Sequence, residues 1–284
     1  MESSRLSVAV EELVDLALDE DIGGGDVTTR LAVDPERRGG GRVVARQRAV
    51  VSGTDVFAAV MLRVDPRTAI EVEARDGDEV SAESEVLRAS GAIASLLTAE
   101  RVALNFLQRL SGVATLTREL AGRLPGGAKT RIADTRKTTP GMRELERRAV
   151  RHGGGFNHRA DLAGGVLIKE NHAAAAGSLS EAIRRCRDGA PHPLRIEAEV
   201  RDERELREAL DAGADAVLLD NMDDERVARC AEIVGGRALV EVSGGIDADR
   251  IAALAAAGAD VISIGALTHS APAADMSFLI DGGD

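Results

Sequence analysis

The second half of the chain alternates between short apolar runs and segments with helical spacing. The apolar runs predict six strands, at residues 131–135, 166–168, 194–200, 216–219, 238–242 and 261–264. The intervening segments 202–212, 224–234 and 247–257 space their apolar residues as helices do, and each opens with an Asp that could cap the helix. Strands that alternate with helices in this way predict a parallel sheet, either open or closed.

A different pattern precedes residue 131. Residues 7–20 place apolar side chains at helical intervals and predict an amphipathic helix. Short alternating runs at 42–46, 70–74 and 85–89 predict the strands of a small α+β domain.

Residues 98–121 predict one or two helices, with Thr98 as the N-cap and Arg101 in the first turn. A cation in the first turn opposes the helix dipole. Arg101 is therefore either a solvated surface residue or a side chain that reaches an anion elsewhere.

Each predicted strand of the second region ends in residues that suit a binding site. These ends are Arg136-Lys137, Lys169, Glu199, Asp220, Ser243-Gly244-Gly245 and Gly265. In a (β/α) barrel all the carboxyl ends open at one face, where the active site lies, whereas an open sheet spreads them along a line. The polar ends favour a ring, and six strands fall short of eight. We therefore predict an α/β protein with an incomplete barrel.

Composition and charge exclude several classes of function. At 284 residues, the chain has room for one large domain or two unequal ones. A net charge of −12 and an aromatic content of 1% argue against a nucleic-acid partner, which needs cations and stacking surfaces. Cys186 and Cys230 lack metal-ligand spacing and are expected to be free thiols. With no signal-like or membrane-spanning apolar run, a cytoplasmic protein without a membrane partner is expected.

Cations concentrate between residues 131 and 172 of this acidic chain. The only lysines are Lys129, Lys137 and Lys169, although Lys and Arg together number 36. The cations at the predicted strand ends and in the loop between them are Arg136, Lys137, His158, Arg159 and Lys169. Such a group repels itself unless an anion joins it, and Arg binds carboxylates bidentately. A ligand rich in carboxylate or phosphate is favoured over a solvated basic patch.

Glycines and carboxylates at the other strand ends suggest complementary chemistry. Gly244 and Gly265 follow the last two strands, where barrels often bind phosphate through backbone N–H groups. Glu199 and Asp220 end consecutive strands and suit Mg²⁺ held with substrate phosphates, or a cationic transition state. Glu197 points to the same side of its strand and is a rival for Glu199.

Ordered motifs along almost the whole chain carry a resemblance to a known family. They are EDIGGGDVTT, TAERVALNFLQRLSGVAT, ADTRKTTPGMRELERRAV, GGGFNHRADLAGGVLIKENH, EAEV, LLDNM, VEVSGGI and ISIGALTHSA. Together they resemble quinolinate phosphoribosyltransferase, also called nicotinate-nucleotide pyrophosphorylase (carboxylating). The resemblance implies an N-terminal α/β sandwich domain at 1–110, joined by 271–284, and a partial barrel of the type II phosphoribosyltransferase kind at 111–270.

The reaction that the resemblance implies joins quinolinate to phosphoribosyl pyrophosphate (PRPP). The products are nicotinate mononucleotide, pyrophosphate and CO₂, in de novo NAD synthesis. Mg²⁺ is the implied cofactor, and a homodimer is the implied assembly.

The resemblance also implies roles for individual residues. The quinolinate pocket is expected to contain Arg136, His158, Arg159 and Lys169, with Arg101 donated by the neighbouring subunit. PRPP and Mg²⁺ are assigned to Lys137, Glu199 and Asp220, and the 5′-phosphate region to Ser243, Gly244, Gly265 and His269. Lys169 is also counted with Lys137, Glu199 and Asp220 among the catalytic residues.

Three positions depart from the family pattern around the NHR motif: Asp161, Gly164 and Glu170. Asp161 puts an acid beside the Arg pocket. Three alternatives stay open at this point: a related pyrophosphorylase with another substrate, a non-decarboxylating barrel enzyme such as a phosphate-sugar isomerase, and a binding protein without catalysis. The intact NHR and LIKENH motifs argue against the first. The number of cations argues against the second.

Overall fold

The computed structural model describes residues 6–281, which form two compact units. The first contains the chain up to Arg118, Thr139–Gly154 and the residues from Ser270 onward. The second contains Glu119–Thr138 and Gly155–His269. These boundaries differ from the division predicted at residues 110 and 270, which stays a prediction.

The elements are as follows. The helices are α1 (Val8–Ile22), α2 (Val27–Ala32), α3 (Thr54–Val64), α4 (Ile93–Ala121), α5 (Arg143–His152), α6 (Glu170–Ala176), α7 (Leu179–Gly189), α8 (Glu203–Asp211), α9 (Asp224–Val234), α10 (Arg250–Ala256) and α11 (Ala266–His269). The strands are β1 (Arg38–Ala45), β2 (Ala49–Val50), β3 (Ala69–Val72), β4 (Glu79–Val80), β5 (Glu85–Ala92), β6 (Arg131–Ala133), β7 (Val166–Ile168), β8 (Ile196–Val200), β9 (Ala216–Asp220), β10 (Leu239–Ser243), β11 (Val261–Ser263) and β12 (Met276–Ile280). Among the described residues, no helix is both long and apolar enough to span a membrane.

The first unit is built on an antiparallel sheet with strand order β12-β1-β5-β3. The C-terminal strand β12 pairs with β1, so that Val43 lies opposite Phe278. Behind the sheet, Phe278 meets Phe57 of α3 with ring centroids 6.4 Å apart. The three strands expected between residues 42 and 89 and the helix expected at 7–20 are all present.

The predicted start of α4 is wrong. The helix begins at Ile93, directly after β5, so Thr98 lies inside it rather than at its N-cap. The Thr98 hydroxyl donates to the Ala94 carbonyl one turn back, at 2.9 Å. Thr can satisfy its hydroxyl in this way, which is why it does not mark a helix start by itself. Arg101 therefore lies beyond the first turn, where the helix dipole has little effect on it.

The second unit contains the six predicted parallel strands, in the order β6-β11-β10-β9-β8-β7. The last strand, β11, pairs with the first, β6, in the way that closes a barrel. However, β6 and β7 are the two edges of the sheet. A single bridge from Ala133 to Phe156 lies at the free side of β6. The fold class is confirmed as α/β, with an N-terminal sheet domain and a parallel sheet that does not close into a barrel within the described residues.

Aspartates tie the strand–helix repeats of the second unit together. Asp202 and Asp223 cap α8 and α9, because each side chain accepts a hydrogen bond from the first turn. Residues 212–215 and 257–260 both read Ala-Gly-Ala-Asp. Their last residues, Asp215 and Asp260, accept from the backbone N–H groups of Ile196 and Val240 at 2.7 and 2.8 Å. Each of these carboxylates fixes the start of the neighbouring strand.

Candidate active site

The carboxyl ends of the parallel strands bring two of the predicted site residues into direct contact. The Lys169 ammonium, at the end of β7, lies 2.8 Å from a carboxylate oxygen of Glu199 on β8. Lys169 is exposed, whereas Glu199 is half-buried. Lys169 was expected to bind quinolinate and Glu199 to serve PRPP, yet the two form an ion pair at this edge of the sheet.

Below this pair, three titratable side chains meet in the interior. The Nε2 atom of His158 lies 3.3 Å from Glu197 and 3.4 Å from Glu241. Glu197 and Glu241 are only 8% and 4% exposed. One oxygen of each carboxylate has no hydrogen-bond partner. We call His158, Glu197 and Glu241 the buried acid–histidine cluster.

At neutral pH the cluster holds one proton more than the three groups would hold if they were separate. Hydrogen bonds to Glu197 and then to Glu241 raise the pKa of His158 to about 10. Burial raises the pKa of Glu197. Burial alone would also raise the pKa of Glu241, but the hydrogen bond and the charge of His158 outweigh it and lower that pKa. The groups are in contact, so the proton belongs to the cluster as a whole.

The backbone of Arg159 limits where this proton can lie. Its N–H donates to Nδ1 of His158 at 2.7 Å, so Nδ1 keeps its lone pair. An imidazolium would carry hydrogen on both ring nitrogens, which conflicts with this short and directional contact. We therefore place the ring proton on Nε2 and the additional proton on Glu197.

The same contact weighs against a metal ion in the cluster. Among the described residues, this is the one group of three or more His, Cys, Asp or Glu side chains whose donor atoms converge closely enough for a metal. His and carboxylate are ligands that Zn²⁺ accepts. Coordination by Nε2 of a neutral ring would require a proton on Nδ1, where Arg159 already donates. The cluster is better suited to holding a proton than to holding a cation.

A fully buried aspartate fixes the NHR loop. Asp134 follows β6, and its two oxygens accept from the Asn157 side chain at 2.6 Å and from the His158 backbone at 2.7 Å. Arg159 is held by its own loop, since Nη1 donates to the Gly165 carbonyl at 2.8 Å. Burial, followed by the nearby charge of Arg136, lowers the pKa of Arg159. Two cations close enough to affect each other in this way suit an anionic ligand.

Asp161, the unusual acid of this loop, forms hydrogen bonds within its own turn, while its charge opposes the lowering of the Arg159 pKa. Its Oδ1 accepts from the backbone of Ala163 and Gly164 at 2.9 and 2.8 Å. The carboxylate therefore closes a local turn, and no ion pair of Asp161 is present among residues 6–281.

The ends of β9 and β10 form a second group of site residues. Asn221 donates from Nδ2 to the Asp220 carboxylate at 2.7 Å. Its backbone N–H donates to the Ser243 carbonyl at 2.9 Å. Gly244 has a φ of +90°, and a Cβ there would overlap the Asn221 carboxamide. Asp220, Ser243 and Gly244 are thus neighbours, as the strand-end pattern predicts.

Lys137, Gly265 and His269 form a third group. A Cβ on Gly265 would come within 3.1 Å of both the Lys137 chain and the His269 ring, so glycine allows these side chains to approach. The Thr268 hydroxyl donates to the Lys137 carbonyl at 2.7 Å. Arg101 lies in the first unit, on the exposed side of α4.

Four residues that the sequence did not single out hold the site together: Asp134, Asn221, Glu241 and Thr268. For Glu241 a signal existed, because it is the only charge in an apolar strand run. The structure also distinguishes Glu197 from Glu199 by depth and by partner. Glu197 lies deeper and contacts His158, whereas Glu199 lies nearer the strand end and contacts Lys169.

Two family models match the chain almost end to end. The N-terminal domain of quinolinate phosphoribosyl transferase matches residues 26–111, and the C-terminal domain matches residues 113–279. A probable nicotinate-nucleotide pyrophosphorylase (carboxylating) of Bacillus subtilis is 40% identical over 91% of this chain and 89% of its own length. A mitochondrial quinolinate phosphoribosyltransferase (decarboxylating) of tobacco is 34% identical over 96% of this chain and 82% of its own.

Solved structures agree with these sequence matches. The nicotinate-nucleotide pyrophosphorylase of Francisella tularensis has a TM-score of 0.91 and 36% identity, over 99% of both chains. NadC of Streptococcus pyogenes has a TM-score of 0.91 and 37% identity, over 97% of both chains. The resemblance carried by the sequence motifs is confirmed at the level of family and fold.

Proposed function

Because the chain belongs to the quinolinate phosphoribosyl transferase family, we propose that it transfers phosphoribosyl from PRPP to quinolinate with loss of CO₂. The products are nicotinate mononucleotide, pyrophosphate and CO₂, which is a step of de novo NAD synthesis. The observation that carries the proposal is the match of both family domains over residues 26–111 and 113–279. The cations at the strand ends supply the binding chemistry that a dianionic substrate requires.

Quinolinate binding is assigned to the cationic part of the site. Arg136 and Arg159 affect each other electrostatically, and a pair of guanidinium groups suits two adjacent carboxylates. Lys169 adds a point charge at the same edge of the sheet. His158 has both ring nitrogens engaged within the protein, so we assign it to holding Arg159 and the pocket floor rather than to proton donation.

PRPP is assigned to the other strand ends. Backbone N–H groups near Gly244 and Gly265 suit a phosphate, and Lys137 lies beside Gly265. As pyrophosphate leaves, positive charge develops on the ribose. Glu199 and Asp220 can stabilise this charge from the neighbouring strands. A bond then forms between the pyridine nitrogen of quinolinate and the ribose carbon whose bond to pyrophosphate has broken.

Decarboxylation, followed by uptake of one proton from water at the same ring carbon, completes the reaction. Loss of CO₂ leaves an electron pair on the ring carbon next to the new pyridinium nitrogen. The pyridinium nitrogen and the surrounding cations stabilise that negative charge. The chemistry of this step requires no covalent nucleophile.

Mg²⁺ is part of the proposal. Glu199 and Asp220 offer carboxylate oxygens, which are the ligands Mg²⁺ prefers together with substrate phosphates. When bound, the ion neutralises charge on the leaving pyrophosphate. We also propose a homodimer in which Arg101 of one subunit completes the quinolinate pocket of the other, and a cytoplasmic location.

The activity is tested with purified protein, quinolinate, PRPP and Mg²⁺. Chromatography should show nicotinate mononucleotide, and reactions that lack either substrate should show none. If quinolinate remains intact and a different carboxylate acceptor consumes PRPP in its place, the chain is a related pyrophosphorylase with another substrate.

The pocket assignment is tested by substrate binding. Arg136→Ala should weaken quinolinate binding far more than PRPP binding, because it removes a guanidinium that suits a carboxylate. Arg207→Ala on the exposed face of α8 serves as the matched control and should change neither. Equal losses for both substrates in Arg136→Ala would contradict the assignment.

A further inference from the structure

Asn221 has a backbone conformation that few residues adopt. Its φ is +54°, in the left-handed region, and among the described residues Glu83 is the one other non-glycine with a positive φ. Left-handed conformations in residues other than glycine are uncommon and often lie at functional sites. Asn221 follows the last residue of β9, directly after Asp220.

This backbone conformation lets the Asn221 side chain reach the preceding residue, Asp220. With a left-handed backbone, the Asn221 carboxamide turns back and donates to the Asp220 carboxylate at 2.7 Å. The bond leaves Asp220 one oxygen that Asn221 does not hold. The direction of the Asp220 carboxylate is therefore set by the residue that follows it.

The same residue is joined to the next strand end. The Asn221 backbone N–H donates to the Ser243 carbonyl at 2.9 Å. Its carboxamide oxygen occupies the space in which a Cβ of residue 244 would lie, so Gly244 is needed there for its size as well as for its φ of +90°. Asn221 thus contacts both Asp220 and the Ser243–Gly245 turn.

We propose that Asn221 is a positioning residue for PRPP, which holds the Asp220 carboxylate and the phosphate-binding turn in one arrangement. The inference rests on the proposed function, in which Asp220 serves the ribose and Mg²⁺ and the turn serves the 5′-phosphate. PRPP is the ligand that would touch both groups at once. Quinolinate is assigned to Arg136, Arg159 and Lys169, whereas the hydrogen bonds of Asn221 go to Asp220 and Ser243. Loss of the carboxamide should therefore affect one substrate selectively.

A simpler role for Asn221 is that of a turn residue, chosen because Asn tolerates a positive φ. Glycine tolerates it still better. The substitution Asn221→Gly therefore keeps the turn and removes only the carboxamide, which separates the two roles.

The test compares steady-state kinetics and thermal stability for Asn221→Gly and the native protein. We expect KM for PRPP to rise roughly fivefold to tenfold, as for the loss of one typical intramolecular hydrogen bond. KM for quinolinate should stay within about twofold, and Tm should fall by no more than about 2 °C, since the backbone is not strained. Asn221→Asp should raise KM for PRPP further, because it puts a second carboxylate beside Asp220.

Glu83→Gly provides a matched control. Glu83 also has a positive φ, of 63°, and its side chain pairs with Arg46 at the exposed surface of the first unit. This substitution should leave both KM values unchanged. The inference is overturned if Asn221→Gly leaves KM for PRPP unchanged, or if it raises both KM values equally.

Direct binding keeps the inference independent of turnover. Calorimetric titration with PRPP and Mg²⁺ should show weaker binding to Asn221→Gly than to the native protein. If the native protein binds PRPP but forms no nicotinate mononucleotide, the proposed function fails, while this comparison still decides the role of Asn221. Equal PRPP affinities in the two proteins would refute the inference.

Discussion

The Lys169 ammonium lies 2.8 Å from the Glu199 carboxylate, so two residues assigned to different substrates neutralise each other before either substrate binds. A dianion that recruits Lys169 has to compete with Glu199 for it. The pair is half-exposed, which makes the competition modest in energy.

The ion pair predicts that Glu199→Gln binds quinolinate more tightly while it turns over more slowly. Glutamine releases Lys169 to the substrate but removes the charge that stabilises the ribose cation. We expect the dissociation constant for quinolinate, measured by calorimetry without PRPP, to fall roughly twofold to fivefold. Weaker quinolinate binding in this variant would show that the pair helps the pocket rather than competing with it.

The buried acid–histidine cluster predicts unequal effects of two matched substitutions. Glu197 carries a proton, so Glu197→Gln replaces a neutral acid with a neutral amide of the same shape. This change should cost less than about 1 kcal/mol of unfolding free energy. Glu241 is ionised and accepts the Nε2 proton of His158, so Glu241→Gln replaces the charged acceptor of a buried hydrogen bond and should cost about 2 to 3 kcal/mol. Urea unfolding at pH 7 measures both values, and equal costs would contradict the proton placement.

The same cluster predicts how stability depends on pH. The contacts of the cluster raise the pKa of His158 to about 10, so the cluster as a whole keeps its additional proton up to that pH, whereas His158 of an unfolded chain has a pKa of 6.5. The stabilisation is therefore complete below pH 6.5 and is lost as the pH rises from 6.5 through 10. The lowered pKa of Glu241 does not act in this window, because that group is ionised in both states throughout it. Glu197→Gln removes the side chain that carries this proton and should flatten the fall in unfolding free energy between pH 6.5 and 10. An unchanged slope would show that other groups cause it.

Donation of Arg101 across a dimer interface predicts complementation between inactive proteins. Arg101→Ala and Arg136→Ala should each lose most activity alone. In a mixed dimer, one site carries both defects and the other carries neither. Random reassociation of equal amounts should therefore restore about a quarter of native activity. Mixtures that stay inactive after subunit exchange, shown by mass spectrometry, would place Arg101 and Arg136 in the same subunit's site.

The sequence predicted the elements well where burial determines them. The strands of the parallel sheet are apolar runs between helices with leading aspartates, and the structure has all six close to the expected positions. Thr98 failed as a helix start because the preceding residues continue straight from β5 into α4. A hydroxyl that can bond back to Ala94 does not distinguish a cap from a helix interior.

Sequence patterns could not predict the contacts of the residues that support the site. Alternation placed Glu197 and Glu199 on one face but could not give their depth. Glu241 lies far from His158 in sequence, and only the sheet brings them together. The conformation of Asn221 depends on the turn at Gly244 in the neighbouring strand, which no local pattern reports.

The most direct test of the central claim follows the carboxylate that the reaction removes. Quinolinate labelled with ¹³C in its 2-carboxyl group is incubated with the protein, PRPP and Mg²⁺, and the products are followed by NMR. All the label should appear as CO₂ and bicarbonate, in step with unlabelled nicotinate mononucleotide and an equal amount of pyrophosphate. Label that stays on the ring, or pyrophosphate released without loss of label, would contradict it.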